Sequence, residues 1–482
     1  MSGYSESGAS LRRNALKSWV PRHGSATADV EMNLRLLRNR AASLVMGSPL
    51  GAAIVHTLTS GVIGEGLKLF PRVKGSQVGL TPAQARAWNK HVKREFELWA
   101  QEPLHCDFLR RNNFYELQAI LFQSMLTDGD SFALFKRRTA TPYNPYTLRL
   151  QAVEGLRVSN PLSSGYIGSN VEMIKGRHRI INGIEINRAG AMEAIWIANR
   201  IWDEPNVLEP EINWQRVRWY GAISGCRNVL QIAKDIRPDQ CRGVPLLAPT
   251  IEMLKQMSRF NEAELGAAIV RSFFSIFFTQ KERDLSFNEI TGREDEELDL
   301  KGFRIDAPSV TSLPRGVDVK AVDAGQTQST FAQFTDAFIK QIGASVGLPY
   351  EVLLKNFQSS YSASRAALLQ AENEFRQRRS AFIVDFCRPV YELFLTEAIA
   401  LGRVDAPGFD EPLKRQAYLN SQWFSEKSGV LDPLKEANAS ILKLEHGLTT
   451  YEKELAGQGL DFEDVAEQLA QERELMNAQP DS

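Results

Sequence analysis

Apolar and polar positions alternate along the chain with periods that change from one region to the next. Phe331, Phe334, Phe338 and Ile342 recur at spacings of three and four, which marks one apolar face of a helix over 326–346. A second stretch with helical periodicity runs from 245 to 271, and a third, longer one from 362 to 401. The pattern therefore predicts three long helices in the second half of the chain.

A polar segment separates the second and third of these predicted helices. Gly347, Leu348 and Pro349 are expected to end the preceding helix. The candidate contact residues that follow are Lys355, Asn356, Gln358, Ser359, Ser360 and Tyr361. Since they contain no catalytic signature, we expect them to make contacts, and the alternative is an ordinary polar loop.

The first half of the chain is predicted to be helical and then β-rich. Helical periodicity covers 29–62, a short strand is expected at 67–70, and Thr81-Pro82 is typical of a helix start. A further helix is expected from Asn113 to about Thr127. Short apolar runs between turn residues then predict strands over 131–230, so the fold class is α+β.

One of these runs also carries a turn signal. Arg179–Ile186 is predicted to be a single strand, followed by a hairpin turn at Asn187–Gly190. Farther along, the apolar run from Phe273 to Phe278 is expected to be a buried strand. After position 404 the chain is predicted to be polar and helical.

The length of the chain bounds the number of its structural regions, and its net charge bears on whether it binds nucleic acid. With 482 residues the chain is too long for one compact core, and we expect two to four structural regions. The net charge of -1 argues against tight non-specific binding of nucleic acid. It is compatible with a protein past which DNA slides, because sliding requires weak contacts.

No cofactor or metal site is expected. Cys106, Cys226, Cys241 and Cys387 form no CxxC pair and are expected to be reduced, buried thiols of a cytosolic protein. We expect Asp128 and Asp130 to form a β-turn with an aspartate cap. The alternative is that the two carboxylates bind Mg²⁺. No apolar run approaches the roughly 18 residues of a membrane span, and no signal peptide is expected.

Acidic residues are concentrated in two places. Residues 450–482 carry nine acids and two bases. The other concentration consists of Glu294, Asp295, Glu296, Glu297 and Asp299. It is interpreted either as a solvated loop or as a docking patch for a basic partner.

Three common enzyme motifs are absent from the sequence. There is no GxxxxGK[ST], no GxGxxG after a strand and no GxSxG. A nuclease or packaging ATPase is the main enzymatic alternative, and the sequence offers neither a P-loop nor a convincing metal-binding carboxylate cluster for it. We expect a protein that is not an enzyme.

Several segments, in their order along the chain, resemble the portal proteins of tailed bacteriophages, specifically the lambda-type family. The resemblance covers about residues 30 to 476. The segments that carry it are 39–41 with 61–67, Trp99 with 106–107 and 126–132, 237–245, 361–365 with 386–391, and 432–436 with 447–450 and 459–461.

The resemblance implies a portal fold with a mainly helical stem, wing and crown, a β-rich wing region and a small α/β clip. The implied regions are a flexible N-terminal arm (1–30), wing (31–236), first stem helix (237–271), clip (272–325), second stem helix (326–347), tunnel loop (348–361), wing helix (362–403), and crown with C-terminal region (404–482). The polar segment would then face DNA, the acidic cluster would lie in the clip, and the phenylalanine face would pack the stem.

The resemblance also implies a function and partners. The chain would assemble as a dodecameric ring at one capsid vertex, with double-stranded DNA packaged and ejected through its channel. Terminase, head-completion or adaptor proteins, and major capsid and scaffold proteins would be partners, without a membrane. The location would be the virion, and the host cytoplasm during assembly. The alternative is a structural or adaptor protein of the virion that has no channel.

Overall fold

The computed structural model describes residues 10, 13–161, 167–168, 172–175, 178–201, 211–273, 277–280, 317–320, 328–357, 360–425, 433–458, 460 and 462–477. The chain divides into two compact units. The larger consists of Met1–Ile251 and Gly343–Ser482, and the smaller of Glu252–Ile342.

The larger unit begins with helices. A π-helical turn at Thr27–Glu31 precedes α1 (Leu34–Gly47), α2 (Pro49–Val62), α3 (Gly75–Val78), α4 (Pro82–Ala100), α5 (Pro103–Cys106) and α6 (Phe114–Asp128). Thr81 and Asn113 each form a capping box at the start of the helix that follows, so the predicted starts of α4 and α6 are confirmed. No single helix in the described residues is long and apolar enough to span a membrane. Helices α1 and α2, which are bent by 94° relative to each other, meet these criteria only when they are taken together.

Two antiparallel sheets follow. The first has the order β10-β2-β3, with β2 at Asp130–Arg137, β3 at Leu148–Glu154 and β10 at Val229–Ala233. The second is a six-stranded meander of β4 (Ile167–Gly168), β5 (Glu172–Lys175), β6 (His178–Ile181), β7 (Ile184–Ile186), β8 (Met192–Ala198) and β9 (Trp214–Arg218). The β-rich texture predicted for 131–230 is therefore confirmed in the residues that the structure describes.

The prediction of one strand over Arg179–Ile186 is wrong. The run contains two strands, β6 and β7, which pair with each other across a tight turn at Asn182 and Gly183. These two residues have φ angles of 43° and 85°, as a two-residue hairpin turn requires. The hairpin turn predicted at Asn187–Gly190 is also present, since the Gly190 N–H donates to the Asn187 carbonyl.

The second half of the larger unit returns to helices. Its elements are α9 (Tyr350–Leu354), α10 (Tyr361–Phe382), a π-helical segment (Ile383–Cys387), α11 (Arg388–Ala400), α12 (Pro412–Tyr418), β13 (Ser421–Phe424), α13 (Pro433–Glu445), α14 (Tyr451–Gly457) and α15 (Phe462–Asn477). The helix predicted over 362–401 is thus two helices joined by a π-helical segment. The prediction of helix alone after 404 missed β13, which pairs antiparallel with β1 (Lys68–Pro71).

Aromatic side chains fill the core where these distant segments meet. The Phe96 ring lies 5.1 Å from Phe394, 5.4 Å from Phe114 and 5.8 Å from Trp423. These four rings come from α4, α6, α11 and β13, and all are buried. Aromatic packing therefore ties the C-terminal strand to helices more than 300 residues earlier in the sequence.

The cysteines are not uniformly buried. Cys106, Cys241 and Cys387 are buried free thiols, as predicted, whereas Cys226 is half-buried in a loop. Burial, with a smaller contribution from Asp107, raises the pKa of Cys106 to about 12. The buried cysteines therefore act as small apolar side chains.

In its described residues, the smaller unit contains two helices and a two-stranded sheet. Helix α7 (Ile251–Phe273) begins after a 3₁₀ turn at Ala248–Thr250, six residues later than the periodicity predicted. Strand β11 (Phe277–Gln280) pairs antiparallel with β12 (Val317–Lys320), and α8 (Gln328–Val346) follows. The predicted strand at 273–278 therefore starts four residues late, because α7 continues to Phe273.

Candidate functional site

The candidate contact segment is a short connection between α8 and α10. Helix α8 ends at Val346, and Gly347 adopts a left-handed φ of 80° that reverses the chain. Residues Tyr350–Leu354, part of the predicted loop, form the short helix α9 instead. The sequence did not predict α9, because a helix of five residues is too short to show a helical periodicity.

Lys355 ends α9 in a left-handed conformation, with φ of 54°. The Asn356 N–H donates to the Glu351 carbonyl at 3.0 Å, which closes the last turn of the helix. The Lys355 side chain is exposed, and the neighbouring Phe357 is also exposed. The segment therefore presents a lysine and an aromatic ring to solvent on a defined backbone.

The other end of the connection is the start of α10. The Ser360 hydroxyl accepts a hydrogen bond from the Ala363 N–H at 3.4 Å and lies 3.1 Å from the Ser362 hydroxyl. Tyr361 is the first residue of α10 and is half-exposed. The remaining predicted contact residues, Gln358 and Ser359, lie outside the described residues.

Arg378 anchors the base of this connection. Its guanidinium donates to the Val346 carbonyl at 3.1 Å and pairs with Glu374 at 2.7 Å. A Cβ at Gly347 would lie 2.9 Å from Glu374 Cδ, so the turn packs closely on α10. The end of α8 and the body of α10 are therefore held together on either side of the exposed residues.

The described part of the connection carries groups of the kind that contact an anion. It presents the ammonium group of Lys355, the hydroxyl groups of Ser360 and Tyr361, and the N-terminus of the long helix α10, where the helix dipole favours a negative charge. Among the residues that the structure describes, no group of three or more histidine, cysteine or carboxylate side chains is placed to hold a metal ion.

The predicted packing face of α8 lies within the smaller unit. The Phe334 ring is 4.9 Å from Phe260 of α7 and 4.4 Å from Phe338. Ile342 is fully buried, whereas Phe334 remains 44% exposed. The Phe331 side chain and the acidic cluster Glu294, Asp295, Glu296, Glu297 and Asp299 lie outside the described residues.

Sequence reasoning missed a buried ion cluster around Asp130. Its carboxylate accepts hydrogen bonds from Arg38 at 2.7 Å, from Arg242 at 2.6 and 2.9 Å, and from the Gly243 N–H at 3.1 Å. The chain does turn at Gly129, but the predicted role of a turn cap is wrong for Asp130. Its oxygens are bound by arginines, which also argues against the Mg²⁺ alternative.

Glu31 extends the cluster. One of its carboxylate oxygens accepts from the backbone N–H groups of Cys241 and Arg242, at 3.1 and 3.0 Å, and the other accepts from Asn182 at 2.8 Å. The cluster thereby joins the N-terminal helical region, the start of β2, the hairpin turn and the segment before α7. The signal that could have revealed it is the combination of Asp128-Gly129-Asp130 with the run Arg237–Gly243.

The charges of the cluster alter one another's pKa. Burial would raise the pKa of Asp130, but Arg242 and Arg38 outweigh it and hold this pKa below its ordinary value. Burial and the neighbouring Arg242 lower the pKa of Arg38 to about 10. Burial raises the pKa of Asp128 to about 6, against the opposing effect of Arg38.

Comparison with known proteins agrees with the resemblance in the sequence. A family model described as phage portal protein, lambda family, matches residues 12–379. Portal protein B of Escherichia phage lambda is 23% identical over 479 residues, which cover 95% of this chain and 87% of the relative. The portal protein of Escherichia phage N15 is 22% identical over 492 aligned positions, with the same two coverages of 95% and 87%.

Solved structures were compared as well. A chain in the neck of a native GTA particle, computed with C12 symmetry, is 13% identical with a TM-score of 0.40 and covers 88% of this chain and 94% of its own length. A chain of the virion of a native gene transfer agent particle is 12% identical with a TM-score of 0.40 and covers 92% of this chain and 94% of its own length.

Proposed function

The chain belongs to the lambda family of phage portal proteins, and from that premise we propose that twelve copies form a ring around a DNA channel at one capsid vertex. The observation that carries this proposal is the family match over residues 12–379. Packaging and ejection of the viral DNA would proceed through the channel. The location is the virion, and the host cytoplasm during assembly.

We further propose that each region has the role that the family implies. The stem consists of residues 237–271, which contain most of α7, and of residues 326–347, which contain α8; residues 272–325 are the clip and residues 348–361 the tunnel loop. Residues 31–236 with 362–403 form the wing, and residues 404–482 form the crown and C-terminal region. What supports the stem assignment is the aromatic contact between Phe260 and Phe334, which packs α7 and α8 against each other.

The tunnel loop would touch DNA weakly. Lys355 is exposed at the end of α9, and the hydroxyl groups of Ser360 and Tyr361 lie at the start of α10. A lysine and hydroxyl groups contact phosphates without reading the base sequence. A channel with many lysines would hold DNA electrostatically. A single lysine in the loop of each subunit is therefore compatible with DNA that must slide through the channel.

Partners of the ring would be terminase, head-completion or adaptor proteins, and the major capsid and scaffold proteins. The acidic cluster at 294–299 remains the predicted docking patch for a basic partner in the clip. An adaptor role without a channel is the alternative, and formation of a ring with an open centre separates the two. No catalytic role is proposed for any residue.

Substitution of Lys355 tests the tunnel loop. In phage that carry Lys355→Ala, we expect rings to form normally while DNA packaging or retention falls, because each ring loses its phosphate-binding ammonium groups. The measurement is packaged DNA per particle, alongside electron microscopy of the rings. Lys443→Ala, which removes an exposed lysine of α13, is the matched control. Equal packaging by both variants would remove Lys355 from the proposed contact.

A further inference from the structure

Positive side chains face each other across the hairpin formed by β2 and β3. Lys136 of β2 lies directly opposite Arg149 of β3 in the antiparallel register, so both side chains are on the same face of the sheet. Opposite residues have Cβ atoms about 5 Å apart, and like charges at this distance are destabilising. Arg138 continues the ladder, since its N–H donates to the Thr147 carbonyl at 2.9 Å. Because side chains alternate along a strand, Arg138 lies on the same face as Lys136.

Arg149 is buried, with only 3% of its surface exposed. Its guanidinium Nη1 donates to the carbonyls of Tyr146 and Leu148, at 3.0 and 2.8 Å. Its Nε–H is buried and has no acceptor among the described residues, and no carboxylate of those residues pairs with the guanidinium. A buried charge is costly unless a countercharge accompanies it, so Arg149 requires an anion that the described residues do not supply.

Two further donors of the same hairpin are buried without an acceptor in the described part of the chain. They are the Nε–H of Arg138 and the side-chain amide Nδ2 of Asn144, a residue that is 4% exposed. The orientation of the Asn144 amide is fixed, because its Oδ1 accepts from the Tyr146 N–H at 3.2 Å. All three unpartnered groups of the hairpin are donors, so a group that completes them must offer acceptors.

The Arg138 guanidinium is held in place by a neighbouring aromatic residue. Its Nη2 donates to the Phe108 carbonyl at 2.9 Å, and its Cζ lies 4.5 Å from the centre of the Phe108 ring. Phe108 follows Asp107, which forms a β-bridge with Leu150 on the other edge of β3. Arg138 therefore reaches from β2 across β3, on the face that carries Arg149.

Arg110 adds a third guanidinium group. It is exposed and adopts a left-handed φ of 59°. Burial is the main reason that the pKa of Arg149 lies below its ordinary value. The charges of Arg138 and Arg110 lower this pKa further, whereas Cys106 and Glu397 oppose them. We call Arg110, Arg138 and Arg149 the arginine site.

The carboxylates next to the arginine site bind other groups. Asp107 accepts three hydrogen bonds from backbone N–H groups of the loop that follows it, at 2.8 to 3.2 Å. Glu397 accepts from Arg137 at 2.6 Å and from the Thr147 N–H at 2.6 Å. The structure describes every side chain from 101 to 160, and none of the carboxylates in this stretch pairs with the arginine site.

We propose that the arginine site binds an oxyanion of the phosphate type between the guanidinium groups of Arg138 and Arg149, with Arg110 and Lys136 beside it. A phosphate has several acceptor oxygens and suits the forked donors of a guanidinium group. A buried water molecule would satisfy the donors but not the charge. The site does not depend on ring assembly or on the segment at 355, because its residues lie close together in one chain.

The test is isothermal titration calorimetry of the full chain with inorganic phosphate, compared with sodium chloride at equal ionic strength. Arg138→Gln removes a guanidinium group that faces the anion, and Arg110→Gln removes an exposed one, which leaves the folded core untouched. Arg188→Gln, in the exposed turn after β7, is the matched control. Circular dichroism of each variant checks that it is folded.

We expect the wild type and the Arg188→Gln control to bind one phosphate per chain with the same affinity. Arg138→Gln should bind phosphate about tenfold more weakly, because it loses a charge-assisted hydrogen bond. Arg110→Gln should bind about threefold more weakly, as expected for a charge exposed to solvent.

A second titration, with a short DNA duplex, shows whether the phosphate belongs to a nucleic acid. All variants are made in the Lys355→Ala background for it, so that the tunnel loop does not contribute. Weaker duplex binding by Arg138→Gln than by the control would identify the ligand as a backbone phosphate. Equal duplex binding, together with the expected loss of phosphate binding, would identify it as a free phosphate.

Two results would overturn the proposal. If phosphate binds no better than chloride, the buried donors are satisfied without an oxyanion. If the wild type, Arg138→Gln and Arg110→Gln bind phosphate with equal affinity, the phosphate lies elsewhere on the chain.

Discussion

Arg38, Asp130 and Arg242 depend on one another in the folded chain. All three are fully buried or nearly so, and the two guanidinium groups share one carboxylate. The bidentate geometry of Arg242, together with its bonds to the Gly155 and Val158 carbonyls, satisfies donors that water cannot reach. The cluster therefore fixes where the helical region, the sheet and the segment before α7 meet.

Removal of the central carboxylate should be costly. Asp130→Asn removes the charged carboxylate that both buried guanidinium groups bind, and we expect the free energy of unfolding to fall by about 3–5 kcal/mol. Urea unfolding of the purified chain measures this. Asp239→Asn makes the same chemical change at an exposed aspartate and should leave the free energy of unfolding almost unchanged. Equal effects of the two substitutions would show that the cluster contributes little.

Asp128 should make stability depend on pH. Folding raises its pKa from 3.8 to about 6, so the folded state holds the proton more tightly than the unfolded state. This contribution is therefore favourable at low pH and is lost as pH rises from about 4 to about 6. Asp128→Asn, which stays neutral, should match the wild type near pH 4 and exceed it by roughly 1–3 kcal/mol at pH 7. A stability difference that does not change with pH would contradict this shift.

At the scale of elements, short sequence motifs correctly predicted where helices begin and end, because helix ends are determined by interactions among a few neighbouring residues. Thr81-Pro82 and Asn113 marked true helix starts because a capping box forms within four residues. Gly347 correctly predicted the end of α8. It adopts the left-handed φ that closes the last turn of the helix, a conformation that glycine reaches easily. The strand break at Asn182-Gly183 is equally local, but the sequence pattern hides it because apolar residues continue on both sides of the turn.

Long-range features could not be predicted in this way. Pairing of β13 with β1 joins Trp423 to Leu69, more than 350 residues away, and neither four-residue strand has a strong pattern. The same holds for Asp130, whose partners lie about 90 and 110 positions away in the sequence. In the candidate site, the sequence located Lys355, Ser360 and Tyr361 in one connection, but the Arg378 anchor depends on the fold.

Packing of β13 gives a prediction at this scale. Trp423→Ala removes a ring that is 6% exposed and contacts Phe96, Phe114 and Tyr391. We expect a loss of about 3–5 kcal/mol in the free energy of unfolding. Trp19→Ala removes a ring that is 68% exposed and should change it by no more than about 0.5 kcal/mol. Similar values for the two tryptophans would mean that β13 is not part of the core.

At the scale of the whole molecule, charge is distributed unevenly along this member of the lambda portal family. The net charge of -1 conceals an acidic C-terminal segment and an exposed lysine between α9 and α10. A chain that guides DNA, as we propose, requires contacts that are weak and independent of base sequence, and a contact between this lysine and a phosphate has that character.

The most direct test of the central claim is electron cryomicroscopy of the purified protein, with class averages for symmetry and a map for the position of residue 355. We expect rings of twelve subunits with an open channel, and the Lys355 segments turned towards that channel. A closed dimer with nuclease or ATPase activity, or a ring with these segments on its outer surface, would contradict it.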